Sequence, residues 1–141
     1  MRRGATLVEL VVFCAIVGIT AGIAIPRTRD VLDGLRLRQA AHEVSSALVL
    51  TRAAAIRRGE RARLIVDAAA GSLRIEAGGD TLHHRNLKRM HYVSLRASRD
   101  TITYAPSGMG WGLANSTVIV SLRQRAETVT VSRLGRARES Y

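Results

Sequence analysis

The most prominent hydrophobic pattern in the sequence is a continuous apolar segment near the N-terminus. Residues 10–25 carry no charge, and Glu9 directly precedes them. A helix of about twenty residues is about 30 Å long, which matches the hydrocarbon core of a bilayer. We therefore predict a transmembrane helix over residues 5–26. Arg2 and Arg3 ahead of it predict a cytoplasmic N-terminus under the positive-inside rule.

Beyond the apolar segment, apolar side chains recur at helical spacing across residues 29–58. This periodicity is typical of an amphipathic helix, and it predicts that the membrane helix continues through residues 27–59. Arg57 and Arg58 suit the negative end of the helix dipole, and Gly59 is a natural C-terminal stop. The side chains predicted to face the interior are Val31, Leu35, Val44, Ala47, Leu48, Thr51, Ala54 and Ala55.

The remaining residues, 60–141, alternate between short β-prone runs and turn residues, which predicts an antiparallel β-domain. The predicted strand pairs are 61–67 with 72–76, 90–95 with 101–105, and 117–122 with 128–132. A glycine-rich loop at 106–112 separates the last pair from the others, and the chain ends in a basic tail. A long N-terminal helix followed by antiparallel strands predicts an α+β fold with the sheet packed on the helix.

The charge balance adds a strong positive field to this picture. The 141 residues contain 22 Lys and Arg against 11 Asp and Glu, a net charge of +11, and Lys88 is the only lysine. Such a charge favours polyanionic partners, although a GC-rich genome would also enrich arginine. Cys14 is the only cysteine, which excludes an intramolecular disulfide and any metal site built on paired cysteines.

Glu9 distinguishes between three interpretations of the apolar segment. A secretory signal peptide needs a small-x-small cleavage site after the apolar core, and residues 25–29 fit that poorly. A plain signal anchor has the right length but leaves Glu9 unexplained, since a carboxylate in a membrane helix costs about 2.5–3.5 kcal/mol. Cleavage between Gly4 and Ala5 would place a new α-amine four residues before Glu9, where the two charges could neutralise each other.

Residues 4–10, Gly-Ala-Thr-Leu-Val-Glu-Leu, followed by an apolar run that ends at Pro26, resemble the class III signal of type IV pilins and pseudopilins. The resemblance implies a leader peptide of residues 1–4, removal of that leader by the prepilin peptidase, and methylation of Ala5. It also implies that Glu9 and Pro26 serve filament assembly. Ala5 departs from the phenylalanine that the family usually has at this position.

The C-terminal half is similar to one subgroup, the GspH/FimT family of minor pilins and pseudopilins. The similarity lies in the aromatic-Ala-Pro-Ser-Gly turn at 104–108 and in two strands followed by Gly-Arg at 135–136. It implies the pilin fold and a single-pass protein of the bacterial inner membrane with a periplasmic C-terminal domain. The protein would then enter a pilus or pseudopilus together with other pilins.

No catalytic group of residues stands out, so the sequence predicts neither an enzyme nor a cofactor. His83, His84 and His91 are close in sequence, but no Cys or carboxylate joins them, and adjacent histidines on a strand point to opposite faces. No metal site is predicted. Residues 108–112 are glycine-rich but lack the Lys-Ser/Thr of a phosphate-binding loop, so a turn is predicted there.

The sequence Gly-Arg-Ala-Arg at 135–138 looks like the Gly-Arg-x-Arg element of FimT-type minor pilins, which bind DNA during natural transformation. It nominates Arg136 and Arg138, because paired arginines can hold adjacent phosphates with bidentate geometry. Binding to double-stranded DNA would be electrostatic and independent of sequence. The alternative is that these arginines are simply the solvated face of a half-buried sheet. The other basic residues assigned to the predicted DNA surface are Arg133, Arg125, Arg123, Arg89 and Lys88.

Three functional classes follow from these patterns. The first is a minor pilin that binds extracellular DNA during uptake. The second is an H-type minor pseudopilin with a purely structural role at the tip of a type II secretion pseudopilus. The third is a membrane-anchored protein unrelated to filaments.

Overall fold

The structure is a computed structural model that describes residues 6–112, 115–132 and 134–140, with residues 23–26 described by their backbone alone. Gly4, Ala5 and Arg133 therefore lie outside the described residues. The chain divides into two compact units, Met1–Gly34 and Leu35–Tyr141. The first helix, α1 (Leu7–Arg58), begins in one unit and ends in the other.

The described part of the first unit is helical, and its sequence is largely apolar as far as residue 26. By length and composition, α1 contains one candidate membrane span near its N-terminal end, and no residue of that span is buried within the protein. Leu7 is 78% exposed and Phe13 is 64% exposed. Apolar side chains with this exposure need another apolar environment, which a bilayer or a bundle of neighbouring helices supplies.

The second unit adds two antiparallel sheets and one short helix to the end of α1. The elements are β1 (Ala62–Asp67), β2 (Ser72–Ala77), β3 (Asp80–Asn86), α2 (Leu87–His91), β4 (Ser94–Ala97), β5 (Thr101–Tyr104), β6 (Gly110–Trp111), β7 (Ser116–Leu122), β8 (Arg125–Val131) and β9 (Ala137–Ser140). The first sheet has the strand order β3-β2-β1-β5-β6, and the second has the order β4-β7-β8-β9.

Alternation of buried and exposed residues fixes the inner face of each sheet. In the first sheet Leu64 pairs with Ile75 on one side and with Ile102 on the other, and all three are buried. In the second sheet Val118 pairs with Val129, and both are fully buried. The inward residues are therefore those that the period-2 pattern selects.

One stripe of α1 packs against these inner faces. Val44, Leu48 and Thr51 are almost completely buried, and the Thr51 hydroxyl donates a hydrogen bond to the Ala47 carbonyl at 2.6 Å. The predicted stripe is confirmed from Val44 onward. It was wrong at Val31 and Leu35, which are 63% and 50% exposed. The other buried side chains of the stripe are Leu37, Ala40, Ala41, Ala47, Ala54 and Ala55.

The strand predicted at residues 90–95 was wrong at its start. The Asn86 side chain accepts a hydrogen bond from the Arg89 N–H at 2.8 Å and caps α2, and Tyr92 ends α2 in the left-handed region at φ 59°. This N-cap stabilises a helical turn in preference to a strand. β4 therefore begins at Ser94, and it pairs with β7 instead of the predicted partner, β5.

Candidate nucleic-acid interface

The Gly-Arg-Ala-Arg sequence follows a tight turn that connects β8 to β9. The Gly135 N–H donates to the Ser132 carbonyl at 2.9 Å, and the Ser132 N–H donates to the Arg136 carbonyl at 2.9 Å. The Arg136 N–H donates to the Ser132 hydroxyl at 3.3 Å. Arg136 thus occupies a fixed position at the end of the turn, and Arg138 lies opposite Thr130 of β8.

Gly135 places this turn against the turn of residues 104–108. A Cβ on Gly135 would lie 2.8 Å from the Gly108 carbonyl oxygen and 3.0 Å from Tyr104 Cε1. Gly135 also has φ 74°, which favours glycine. The facing turn is closed by a hydrogen bond from the Ala105 N–H to the Met109 carbonyl at 2.9 Å. The two motifs that carry the C-terminal resemblance are therefore in contact.

Arg52 of α1 lies beside the same junction. A Cβ on Gly108 would lie 3.1 Å from Arg52 Nε, and one on Gly135 would lie 3.6 Å from it. Arg52 Nε is buried and has no hydrogen-bond partner among the described residues. Burial raises the pKa of the neighbouring Tyr104 hydroxyl above its ordinary value, and the positive charge of Arg52 opposes this shift.

An open groove of about 770 Å³ runs between α1 and the start of β9. The described residues that line it include Arg52, Arg136 and Arg138 and contain no Asp or Glu. Its other polar side chains are those of Ser45, Asn115, Thr130 and Ser132. The full lining is Ser45, Val49, Arg52, Asn115, Thr130, Ser132, Gly135, Arg136, Ala137 and Arg138. Such a lining suits an anion that accepts several hydrogen bonds.

The predicted DNA-binding residues do not form one surface. Arg136 and Arg138 are exposed at the groove, whereas Arg123 and Arg125 lie at the β7–β8 hairpin. Arg138 is opposite Thr130, five residues along β8 from Arg125, so the two arginines are about 17 Å apart along the strand direction.

Lys88 and Arg89 belong with the hairpin arginines. Both lie on α2, where the Lys88 N–H donates to the Gly71 carbonyl at 3.2 Å. The chain then enters β4 at Ser94, which pairs with Ser121 beside the hairpin. The described candidates therefore divide into a groove pair and a hairpin group at the opposite end of the second sheet.

Arg52 is the groove residue that the sequence analysis missed. It directly follows Thr51 in the buried stripe of α1, three residues after Val49. Helical spacing alone could have placed Arg52 beside Ser45 and Val49, but not beside the C-terminal turn. That proximity depends on the tertiary contact between Gly108 and Gly135.

Two of the histidines contact other side chains. His91 Nε2 lies 2.9 Å from Glu43 Oε1 of α1, so this histidine attaches α2 to the long helix. His83 instead lies 3.3 Å from the Arg85 Nε. No cluster of three metal-ligating side chains occurs among the described residues.

The structure adds one finding about the predicted processing and assembly residues. The Glu9 N–H donates to the Thr6 hydroxyl at 3.3 Å, so Thr6 caps the start of α1. Glu9 stands at the position where a carboxylate completes a capping box. Pro26 lies within α1, where only the backbone is described, and the Gly4–Ala5 bond lies outside the described residues.

Comparison with known proteins identifies the family of this chain. The family model described as type II transport protein GspH matches residues 40–135. The chain belongs to the GspH family. No curated protein matches the sequence. As a member of this family, the chain is a GspH/FimT-like minor pilin or pseudopilin, and the predicted pilin fold is confirmed.

Two solved structures have the same fold. The type IV minor pilin FimU of Pseudomonas aeruginosa aligns with a TM-score of 0.64 at 16% identity, covering 74% of this chain and 88% of that one. The minor pseudopilin EpsH of the Vibrio cholerae type 2 secretion system aligns with a TM-score of 0.58 at 15% identity, covering 74% and 96%. The family assembles with other pilins in filaments, and the N-terminal apolar helix is its membrane anchor.

Proposed function

We propose that this GspH-family subunit is a minor pilin that binds DNA without sequence specificity through Arg136 and Arg138. The observation that carries the proposal is the groove beside β9, whose described lining combines three arginines with no acidic side chain. Its place would be a filament used for DNA uptake, with the C-terminal domain on the periplasmic side of the inner membrane. The role is structural and ligand-binding, not catalytic.

Charge and geometry support phosphate recognition at this surface. Arginine presents several donors in a planar fork that matches phosphate oxygens. Arg136 and Arg138 are exposed, and Ser132 holds the turn that precedes β9. The described groove lining contains no aromatic side chain on which a base could stack. Binding therefore depends on backbone phosphates and weakens as salt is added.

The test measures binding of the full chain, held in uncharged detergent, to a labelled duplex by fluorescence anisotropy over a range of salt concentrations. Arg136→Ala combined with Arg138→Ala is expected to reduce affinity at least tenfold, on the order of two lost charged hydrogen bonds. It should also reduce, by about 2, the slope of the logarithm of the affinity against the logarithm of the salt concentration.

The matched control is Arg96→Ala combined with Arg125→Ala. This pair removes the same charge from exposed positions on β4 and at the hairpin end of β8. It should change affinity much less than the groove pair does. Equal losses for the two pairs would mean that net charge alone drives binding. Affinity that ignores salt, or that survives the groove substitutions, would rule out DNA binding at this site.

The second candidate is an H-type minor pseudopilin with a structural role in type II secretion. The description of the matching family and the likeness to EpsH favour it. In that case the domain would cross-link to sister pseudopilins in native cells and the groove substitutions would leave secretion unchanged. Neighbouring genes for secretion components would favour this candidate, and neighbouring competence genes would favour DNA uptake.

A further inference from the structure

Arg52 differs from the other arginines of the groove in its depth. Arg136 and Arg138 are exposed at the rim, whereas Arg52 is half-buried and its Nε is enclosed. Nothing among the described residues accepts a hydrogen bond from that Nε. An arginine that lines a groove and has an unused donor favours an anionic ligand in that groove.

The size of the groove limits what can reach Arg52. A volume of about 770 Å³ is that of a small-molecule site, which holds one or two nucleotides but not a double helix. The persistence length of duplex DNA is about 50 nm, so a duplex cannot bend sharply over a few base pairs. Its phosphates therefore stay at the rim of the groove and do not reach the floor. An unpaired strand has no such constraint.

We propose that the groove is a site for unpaired nucleic-acid strand, in which Arg52 binds a phosphate at the floor while Arg136 and Arg138 hold the neighbouring phosphates at the rim. Thr130 and Ser132, which carry hydroxyl groups, also line the groove. A duplex contacts the rim arginines alone, so the site prefers strand ends and single-stranded regions. This inference rests on the proposed DNA binding and names the form of DNA that the site selects.

The first experiment compares a twelve-nucleotide single strand with the corresponding duplex, using the full chain in uncharged detergent. Arg52→Gln keeps a polar side chain of similar length and removes the charge. It is expected to weaken single-strand binding about tenfold, as for one charged hydrogen bond, and duplex binding less than about twofold. Arg96→Gln, an exposed arginine on β4, is the matched control and should change neither affinity.

A second experiment needs no variant and covers the case in which Arg52→Gln fails to fold. The wild-type chain is treated with phenylglyoxal, which modifies arginines, and the modified sites are read by mass spectrometry. The single strand should protect Arg52, Arg136 and Arg138. The duplex should protect Arg136 and Arg138 only, and Arg96 should stay reactive throughout.

The possible outcomes separate the two proposals. If neither form of DNA binds, both fail. If both forms bind with equal affinity and Arg52 remains reactive, DNA binding stands and the single-strand site is wrong. A polyglutamate peptide that protects Arg52 as well as the single strand does would also overturn this inference, since the groove would then accept any acidic chain.

Discussion

Gly135 shows how one residue without a side chain can determine the shape of a binding surface. Its φ of 74° lies in the left-handed region, and its Cα faces the Gly108 carbonyl oxygen at a distance that leaves no room for a methyl group. The close approach sets the position of Arg136 relative to Arg52. The glycine of the Gly-Arg-x-Arg element therefore acts on the arginines through backbone packing.

Gly135→Ala is expected to destabilise the protein by more than backbone strain alone. The left-handed conformation costs a residue with a Cβ about 1–2 kcal/mol. The added Cβ, 2.8 Å from a backbone oxygen, should add about 1–3 kcal/mol of overpacking. Chemical denaturation followed by circular dichroism measures the sum.

Gly59→Ala is the control, because Gly59 has a similar φ of 65° and open space around its Cα. Its free energy of unfolding should fall only by the cost of the left-handed backbone conformation. If the two variants lose equal stability, the contact between Gly135 and Gly108 does not constrain the turn.

At the residue scale, a local motif nominated two arginines whose part in binding stays a prediction. Arg136 and Arg138 were nominated from a four-residue string, and both line the groove. Arg52 was not nominated, because a single arginine on an amphipathic helix gives no sign of which distant turn will pack beside it. Its position in the groove follows only from the tertiary contact between residues far apart in sequence.

At the scale of elements, β8 carries an acidic residue at an inward position. Val129 and Val131 face the core, and the same alternation turns Glu127 inward, where it is 8% exposed. Burial raises the pKa of Glu127 above its ordinary value, the nearby Arg38 opposes the shift, and Glu139 of β9 adds to it. The strand pattern thus includes one side chain that costs stability when it is charged.

Glu127→Gln is expected to stabilise the domain at neutral pH. A raised pKa in the folded state means that folding favours the protonated form. The stabilisation from the protonated carboxyl is therefore fully present at pH values below the ordinary glutamate pKa. It is lost as the pH rises through the pKa of the folded state. The glutamine variant keeps its stability, so its advantage over wild type should grow between about pH 4 and pH 7.

Urea denaturation across that pH range measures this difference. Asp100→Asn, which removes an exposed carboxylate, is the control and should show no comparable growth in stability. An advantage for Glu127→Gln that is constant across the pH range would show that the carboxylate is not penalised by burial.

Prediction of the elements was best where periodicity extended over many residues. The stripe of α1 and the pairing of β1 with β2 followed from period and turn residues alone. The short helix α2 was missed because its five residues depend on a single Asn86 cap. β3 was missed because its residues are mostly exposed, so its sequence lacks the alternation that marks a half-buried strand.

At the scale of the whole molecule, the apolar helix and the groove lie in different parts of the sequence. The helix α1 begins with the Thr6 cap and Glu9, and the groove arginines Arg136 and Arg138 come with the last strand. Sequence predicted the family and its fold, because the N-terminal signal and the C-terminal motifs are local strings. The contacts that form the groove are not local, and the sequence could not provide them.

Removal of residues 1–4 and methylation of Ala5 predict the mass of the mature protein. The chain purified from its native cells is expected to begin at Ala5, to lack residues 1–4, and to carry one methyl group on the new amine. Intact-mass spectrometry followed by fragmentation of the N-terminal peptide measures both changes. The same chain from cells lacking the prepilin peptidase is the control and should keep Gly4. A mature protein that retains Met1 without methylation would contradict the processing model.

The distance in sequence between the groove rim and the apolar helix has an evolutionary consequence. The rim arginines Arg136 and Arg138 are encoded by codons far from those of the apolar part of α1. Point mutations at the rim can therefore change the charge of the groove without altering the apolar helix. Under the proposed function, a lineage could exchange a DNA-handling subunit for a purely structural one in this way, and Arg52 would remain on α1.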